Sequence, residues 1–128
     1  MKDSCNSKPA IKRYVTDAAQ KALGLRTKYM ALPDSECGFV YFILTPELNR
    51  VKIGHSKVPF IRMTDLQVYC PCKLKILGLF IGSRQMEQDL HEQFSADSVI
   101  GEWFEYSPDI QAHLECHQEQ NILRDYLS

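Results

Sequence analysis

The sequence has no long hydrophobic run and no regular spacing of cysteine. No stretch approaches the roughly 18 to 20 apolar residues that a membrane-spanning helix needs, and the opening letters MKDSCNSKPA lack the apolar core of a secretory leader. Five cysteines, an odd number, show no disulfide-framework spacing, which favours reduced thiols. No internal repeat is visible either. These absences predict a cytoplasmic protein with no membrane partner.

Positive and negative charges nearly balance over the whole chain, but the two ends differ in the sign of their charge. The formal net charge is −1, yet residues 1–33 hold seven Lys/Arg and two Asp/Glu, whereas residues 79–128 hold two and ten. Proteins that bind nucleic acid tightly by charge alone carry a surplus of cations, so the neutral whole argues against that class. A polyanion would first meet the basic N-terminal end.

The length of 128 residues suits a single folded domain with one additional segment. From Pro9 to about Met30, apolar residues recur at three- and four-residue steps, which predicts a helix with lysines on its other sides. We therefore expect a basic helical arm and linker over residues 1–33, followed by one domain over residues 34–128.

The domain is expected to be α/β, more narrowly α+β, with a small and mainly antiparallel sheet of three to four strands flanked by helices. The run FVYFIL is β-branched and aromatic throughout, and RVKIGHS follows it after the turn letters TPELN, which predicts a hairpin. Ser56 and Ser83 are candidate caps of two helices, and the apolar run ending at Ile81 predicts a central third strand. The expected order is strand 39–44, strand 50–56, helix 57–68, strand 73–81, helix 84–94, strand 101–107 and helix 108–127.

Two strand motifs and two helix motifs resemble the GIY-YIG nuclease superfamily over about residues 38 to 106. In VYFI and VKIGHSKVPFIR, Tyr41 lies in the first signature strand and Lys52-Ile53-Gly54 in the second. Arg62 follows eight residues after Gly54, where that superfamily has an arginine on a helix, and MEQDLHEQF with Glu87 is similar to its metal-binding helix. The letters KIG, ExxxH and GEWF look most like a phage-associated branch.

The chain also departs from that pattern. Phe39 replaces the glycine of the first motif, and Lys52 replaces the tyrosine of the second, which leaves Tyr41 as the candidate general base. The late asparagine of the superfamily has no clear counterpart, because Asn121 falls in the predicted last helix.

The resemblance implies a DNA endonuclease that uses Mg²⁺ or Mn²⁺, in the cytoplasm or wherever a host cell holds its nucleic acid. A homodimer is one candidate state of the chain. Glu87 would hold the metal. The other expected catalytic residues are Tyr41, Lys52, Arg62, His91 and His55. The expected DNA contacts are Gly54, Ser56, Lys57, Lys12, Arg13 and Lys28.

The chemistry of the side chains supports a joint role for Tyr41, Lys52 and Gly54. A phenol with a pKa near 10 is a poor base at neutral pH unless a cation stabilises the phenolate, and Lys52 is the candidate cation for Tyr41. That role requires both side chains on one face of the hairpin, which direct pairing of Tyr41 with Lys52 and a six-residue loop, 44–49, would give. Pairing Phe42 with Lys52 instead would separate them. Gly54 would leave a gap for a phosphate.

Other interpretations stay open at this point. Lys52 can be a solvated charge on an edge strand, Arg62 can pair with Asp65, and Glu87 can pair with Arg84. The domain can also be a catalytically silent DNA-binding remnant of a nuclease. A third class is a zinc-stabilised interaction module, whose ligands would come from Cys70, Cys72, His113, Cys116 and His117.

Overall fold

One five-stranded antiparallel sheet with helices on both faces forms the structure, a computed structural model that describes residues 32–126. The predicted helical arm, including Lys12, Arg13 and Lys28, lies outside the described residues. The strands are β1 (Phe39–Thr45), β2 (Arg50–Ser56), β3 (Lys75–Ile81), β4 (Ser98–Ile100) and β5 (Trp103–Glu105). The helices are α1 (Pro59–Tyr69), α2 (Arg84–Gln93) and α3 (Pro108–Cys116), with 3-10 helices at Ser95–Asp97 and Ile122–Asp125.

The order of strands across the sheet is β3-β1-β2-β5-β4. Every residue of β1 is buried, because this strand has helices on both faces and a paired strand on each side. The α+β class and the antiparallel sheet are therefore confirmed. The sheet has one strand more than predicted, since the turn at Gly101 folds β4 back onto β5.

Two apolar layers hold the fold together, one on each face of the sheet. Alternate residues of β1 supply both layers, because successive side chains of a strand point to opposite faces. Tyr41 and Ile43 pack with Met63 of α1, whereas Phe42 packs with Leu90 of α2 and Ile110 of α3. The face that carries Tyr41 is thus the α1 face.

Two predictions about the elements were wrong. β3 is not central but lies at one edge of the sheet, where it pairs with β1 alone. The last helix ends at Cys116 instead of continuing to 127. The letters HQEQN that follow contain no apolar side chain to pack on the sheet, so nothing holds another helical turn there.

The beginnings of the three helices follow their local sequences. Ser83 and Ser107 cap α2 and α3, each accepting a hydrogen bond from the backbone N–H three residues on. Ser56, predicted as the cap of α1, accepts instead from the N–H of Val58, and α1 begins only at Pro59. Among residues 32–126, no helix combines the length and apolarity needed to cross a membrane.

Candidate active site

The register of the β1–β2 hairpin decides which side chains can meet. Tyr41 pairs with Gly54, and Lys52 pairs with Ile43, so the predicted direct pairing of Tyr41 with Lys52 was wrong by two residues. The loop is correspondingly shorter, four residues from Pro46 to Asn49, because the apolar Leu44 extends β1. A shift of two keeps each side chain on its face, so Tyr41 and Lys52 still share the α1 face as diagonal neighbours.

The aromatic ring of Tyr41 lies across the backbone of Gly54. A Cβ built on Gly54 would come within 2.5 Å of the Tyr41 hydroxyl oxygen. The expected gap at Gly54 is therefore filled by the phenol and is not open for a phosphate. Tyr41 itself is 2 % exposed, so its hydroxyl is held at one position at the rim of the core.

The contact between the Tyr41 ring and the Gly54 backbone gives the first stability prediction. The substitution Gly54→Ala should destabilise the fold by about 1–3 kcal/mol, the usual cost of forcing an extra methyl group into a packed site. Urea denaturation of the wild type, Gly54→Ala, Tyr41→Ala and the double variant would measure it. The double variant should lose less than the two single losses combined, and strict additivity would contradict the packing of Tyr41 on Gly54.

Lys52 is not a solvated edge charge. β2 lies between β1 and β5, and the side chain of Lys52 is only 14 % exposed. Its ammonium forms an ion pair with the carboxylate of Glu102, in the turn that leads into β5. Lys52 is thus engaged by Glu102 and is not the cation that acts on Tyr41.

The pKa of the Tyr41 phenol is raised to about 12, opposite to the direction expected from the sequence. Burial is the main cause, and the nearby carboxylates of Glu102 and Glu87 raise the pKa further. The guanidinium of Arg62 lowers the pKa and is the cation that acts on this phenol. In the absence of ligands Tyr41 is therefore protonated at neutral pH.

Glu87 and Glu102 form a pair of neighbouring carboxyl groups with opposite pKa shifts. Glu87 is 6 % exposed; its burial and the charge of Glu102 raise its pKa, although His91 and His55 act against the shift. Glu102 is also partly buried, but the hydrogen bond and charge of Lys52 hold its pKa below the usual range. When the pair holds one proton, that proton therefore lies on Glu87, which then donates to the ionised Glu102.

A second stability prediction follows from the raised pKa of Glu87. Protonated Glu87 stabilises the fold at acidic pH, and this contribution is lost as the pH rises through its raised pKa. Since the amide of Glu87→Gln keeps a donor toward Glu102 at every pH, the variant should melt above the wild type at neutral pH. Thermal melts with a chelator, from about pH 4 to about pH 8, should show the difference growing with pH. A constant difference would contradict the raised pKa.

His91 joins α2 to the middle of β2. Its Nε2 lies 2.8 Å from the carbonyl oxygen of Ile53 and 3.9 Å from the Glu87 carboxylate. A carbonyl oxygen only accepts, so Nε2 carries a proton. The ring also packs edge-on against Phe104. His91 thus holds Glu87 close to β2, where Tyr41 contacts Gly54.

The other predicted residues are placed differently. His55 pairs with Val40 on the opposite face from Tyr41, and its Nε2 donates to the carbonyl of Cys37 at 2.7 Å. Ser56 is buried at the end of β2, and its hydroxyl accepts a hydrogen bond from the backbone N–H of Val58 in the turn before α1. Lys57 is exposed beside that turn.

Arg62 is exposed on α1 and faces the candidate site. Among residues 32–126 it forms no ion pair or hydrogen bond, so the alternative pairing with Asp65 is absent. The same survey of the described chain shows no pairing of Glu87 with Arg84. The guanidinium of Arg62, exposed and unpaired among the described residues, can meet a ligand.

Glu102 was missed by the sequence reasoning. It lies in the motif GEWF, and the sequence assigns it no role. The available signal was Lys52 itself, because an ammonium in a strand that is otherwise buried needs a carboxylate partner. Asn121, which had no assigned role, is structural: its side chain bonds to the backbone of Leu77 and Leu79 on the outer edge of β3.

The zinc interpretation fails on geometry. Cys70 packs on the α1 face, whereas the ring of His113 packs between Phe42 and Phe94 on the opposite face. A hydrogen bond to Glu47 also raises the pKa of Cys72 to about 11, which opposes the thiolate that zinc binds. Within the described residues, no group of three or more His, Cys, Asp or Glu side chains could hold a metal ion.

Comparison with known proteins gives one match. The model of the T5orf172 domain family matches residues 38–120, from the residue before β1 to the end of the turn after α3. No curated protein and no solved structure matches this chain. The match covers more than half of the sequence and includes every element of the candidate site. The chain therefore belongs to the T5orf172 domain family.

Proposed function

We propose that this protein is a metal-dependent endonuclease of the GIY-YIG type that hydrolyses phosphodiester bonds in DNA. One observation carries the proposal. Tyr41, Arg62, Glu87 and Glu102 come from three secondary-structure elements and a turn, yet the charges of the last three all act on the Tyr41 phenol. A phenol, a guanidinium and two carboxyl groups that act on one another are typical of a functional site and add nothing to the packing of an apolar core.

The donor set fits Mg²⁺ or Mn²⁺. Glu87 and Glu102 offer hard carboxylate oxygens, and magnesium commonly takes one or two carboxylates with water and substrate phosphate as its other ligands. Bound there, the ion would neutralise negative charge that grows on the phosphate oxygens. Lys52 holds Glu102 in position through their ion pair, and His91 holds Glu87 through α2.

The proposed reaction is hydrolysis at phosphorus. A water oxygen bonds to phosphorus, the bond from phosphorus to one sugar oxygen breaks, and the products are a phosphate monoester and a sugar hydroxyl. Arg62 would bind two phosphate oxygens with its planar fork and stabilise their charge in the transition state. The Tyr41 hydroxyl would orient the water. It could take the proton of the water only as the phenolate, after losing its own proton to solvent, which requires the two carboxylates beside it to be neutralised.

The remaining predicted residues have supporting roles in this proposal. Lys57 would contact the phosphate backbone next to the site, and Lys12, Arg13 and Lys28 of the arm would add non-specific contacts. His55 would act indirectly through its influence on Glu87. Cleavage of both DNA strands would require either two successive cuts or a homodimer. The proposed setting is the cytoplasm or wherever a host cell holds its DNA.

The test is a nicking assay on supercoiled plasmid with Mg²⁺, with Mn²⁺ and with a chelator. We expect conversion to open circles only when a divalent metal is present. Retention of DNA without conversion under any of the three conditions would contradict the enzyme and identify a silent DNA-binding domain of the same fold.

A further inference from the structure

A surface groove runs from the candidate site along α1 to the turn that follows it. Its lining begins at Arg62, and side chains at 62, 65, 66 and 69 share one side of α1, because they are spaced by three and four residues. Seven residues of helix place the two ends of this row about 10.5 Å apart. The lining consists of Arg62, Asp65, Leu66, Tyr69, Cys70 and Pro71.

Tyr69 presents an aromatic face at the far end of the groove. It is 86 % exposed, and within the part of the chain that the structure describes it makes no hydrogen bond or ring contact. An aromatic side chain without a partner, next to a candidate nucleic-acid site, has the geometry of a stacking platform. Every base has a π face, so stacking needs no particular sequence.

The charges along the groove separate a phosphate position from a base position. The unpaired guanidinium of Arg62 attracts a phosphate at the near end. One turn further on, the exposed carboxylate of Asp65 repels a second phosphate but can accept a hydrogen bond from the N–H donors of a base. The backbone of the ligand therefore belongs at Arg62 and its base beyond it, toward Tyr69.

We propose that this groove binds an unpaired nucleotide next to the scissile phosphate, with its base stacked on Tyr69. The inference rests on the proposed function only in placing the scissile phosphate at Arg62. It names a substrate class, which is DNA with a single-stranded segment beside the cut, such as an overhang, a flap or an open junction. A base inside a duplex is already stacked on its neighbours and cannot reach a side chain in this way.

The test is binding of fluorescent oligonucleotides to the full chain in a chelating buffer, so that no cleavage takes place. Removal of one stacking partner should weaken binding of single-stranded DNA by about tenfold or more. Tyr69→Ala should therefore lose that affinity, Tyr69→Phe should keep it, and affinity for a blunt duplex should stay unchanged in both. Val68→Ala is the matched control, since Val68 is 69 % exposed and lies outside the groove lining.

Each outcome separates this inference from the proposed function. Equal binding of single-stranded DNA by Tyr69→Ala and Val68→Ala overturns the stacking site, whatever other ligand the groove takes. An equal loss for blunt duplex and single strand also overturns it. Tyr69-dependent binding by a protein that never nicks plasmid supports the groove and contradicts the enzyme. Nicking that is unaffected by Tyr69→Ala, on plasmid and on flap substrates, leaves the enzyme and removes the groove.

Discussion

Substitution of Glu87 by Gln should reduce nicking of supercoiled plasmid by about 100-fold or more, the scale seen when one preorganised charge-stabilising group is lost. The amide nearly matches the carboxyl group in size and still donates to Glu102, so the packing of α2 should survive. What disappears is the negative charge that a divalent metal needs. Rates measured against Mg²⁺ and Mn²⁺ concentration should shift to higher metal, because Glu102 remains as a weaker anchor.

The control for this prediction is Asp89→Asn, the same chemical change on the same helix. Asp89 is exposed and bonds to Gln85, away from the site, so its loss should leave the rate unchanged. Glu87→Gln is also expected to melt above the wild type, which separates lost activity from lost folding. Full activity in Glu87→Gln, with a normal metal dependence, would contradict the assignment of Glu87 as the metal ligand.

Substitution of Arg62 by Ala should have an effect of similar size, about 100- to 1,000-fold on the nicking rate. The guanidinium of Arg62 is exposed and unpaired among the described residues, so its removal leaves no buried charge and should not affect folding. Arg62→Lys should restore only a small part of the rate, because an ammonium is a point charge and cannot offer two parallel hydrogen bonds.

The matched control for Arg62 is Arg124→Ala. Arg124 is exposed in the 3-10 helix next to β3, the edge strand farthest from β5 and β4 in the sheet. Loss of rate in both variants would indicate a general dependence on positive charge. Loss in neither would contradict a role of Arg62 in the transition state.

Arg62, and not Lys52 as the sequence suggested, is the cation that acts on the Tyr41 phenol. Lys52 lies on the same face of the sheet as Tyr41, and the local pattern therefore predicted it as the partner. Its real partner, Glu102, follows it by fifty residues, and a pairing at that distance along the chain leaves no local signal. The consequence is functional, because burial and the nearby carboxylates raise the pKa of the Tyr41 phenol and keep it protonated, and no ammonium activates it.

The order of the elements could be predicted from the sequence because it depends on local pattern. Alternation and β-branching indicated β1 and β2, and serine followed by an amphipathic run indicated α2. The resemblance of these segments to the GIY-YIG superfamily selected Tyr41, Arg62 and Glu87 as candidate site residues. The predicted end of α3 was wrong because helix propensity alone continues a helix until a helix-breaking residue appears. In the folded protein the helix ends where it loses its packing surface.

The sequence by itself determined an α+β domain with a chemically distinctive set of side chains, since hydrophobic period and residue type are local properties. Only the tertiary structure decided the hairpin register, the edge position of β3, the Glu87–Glu102 pair and the filling of the Gly54 gap by Tyr41. These features depend on which segments meet in space and on how much water they exclude. Both are set by packing between residues far apart in the chain, and packing also sets the pKa values on which the proposed chemistry depends.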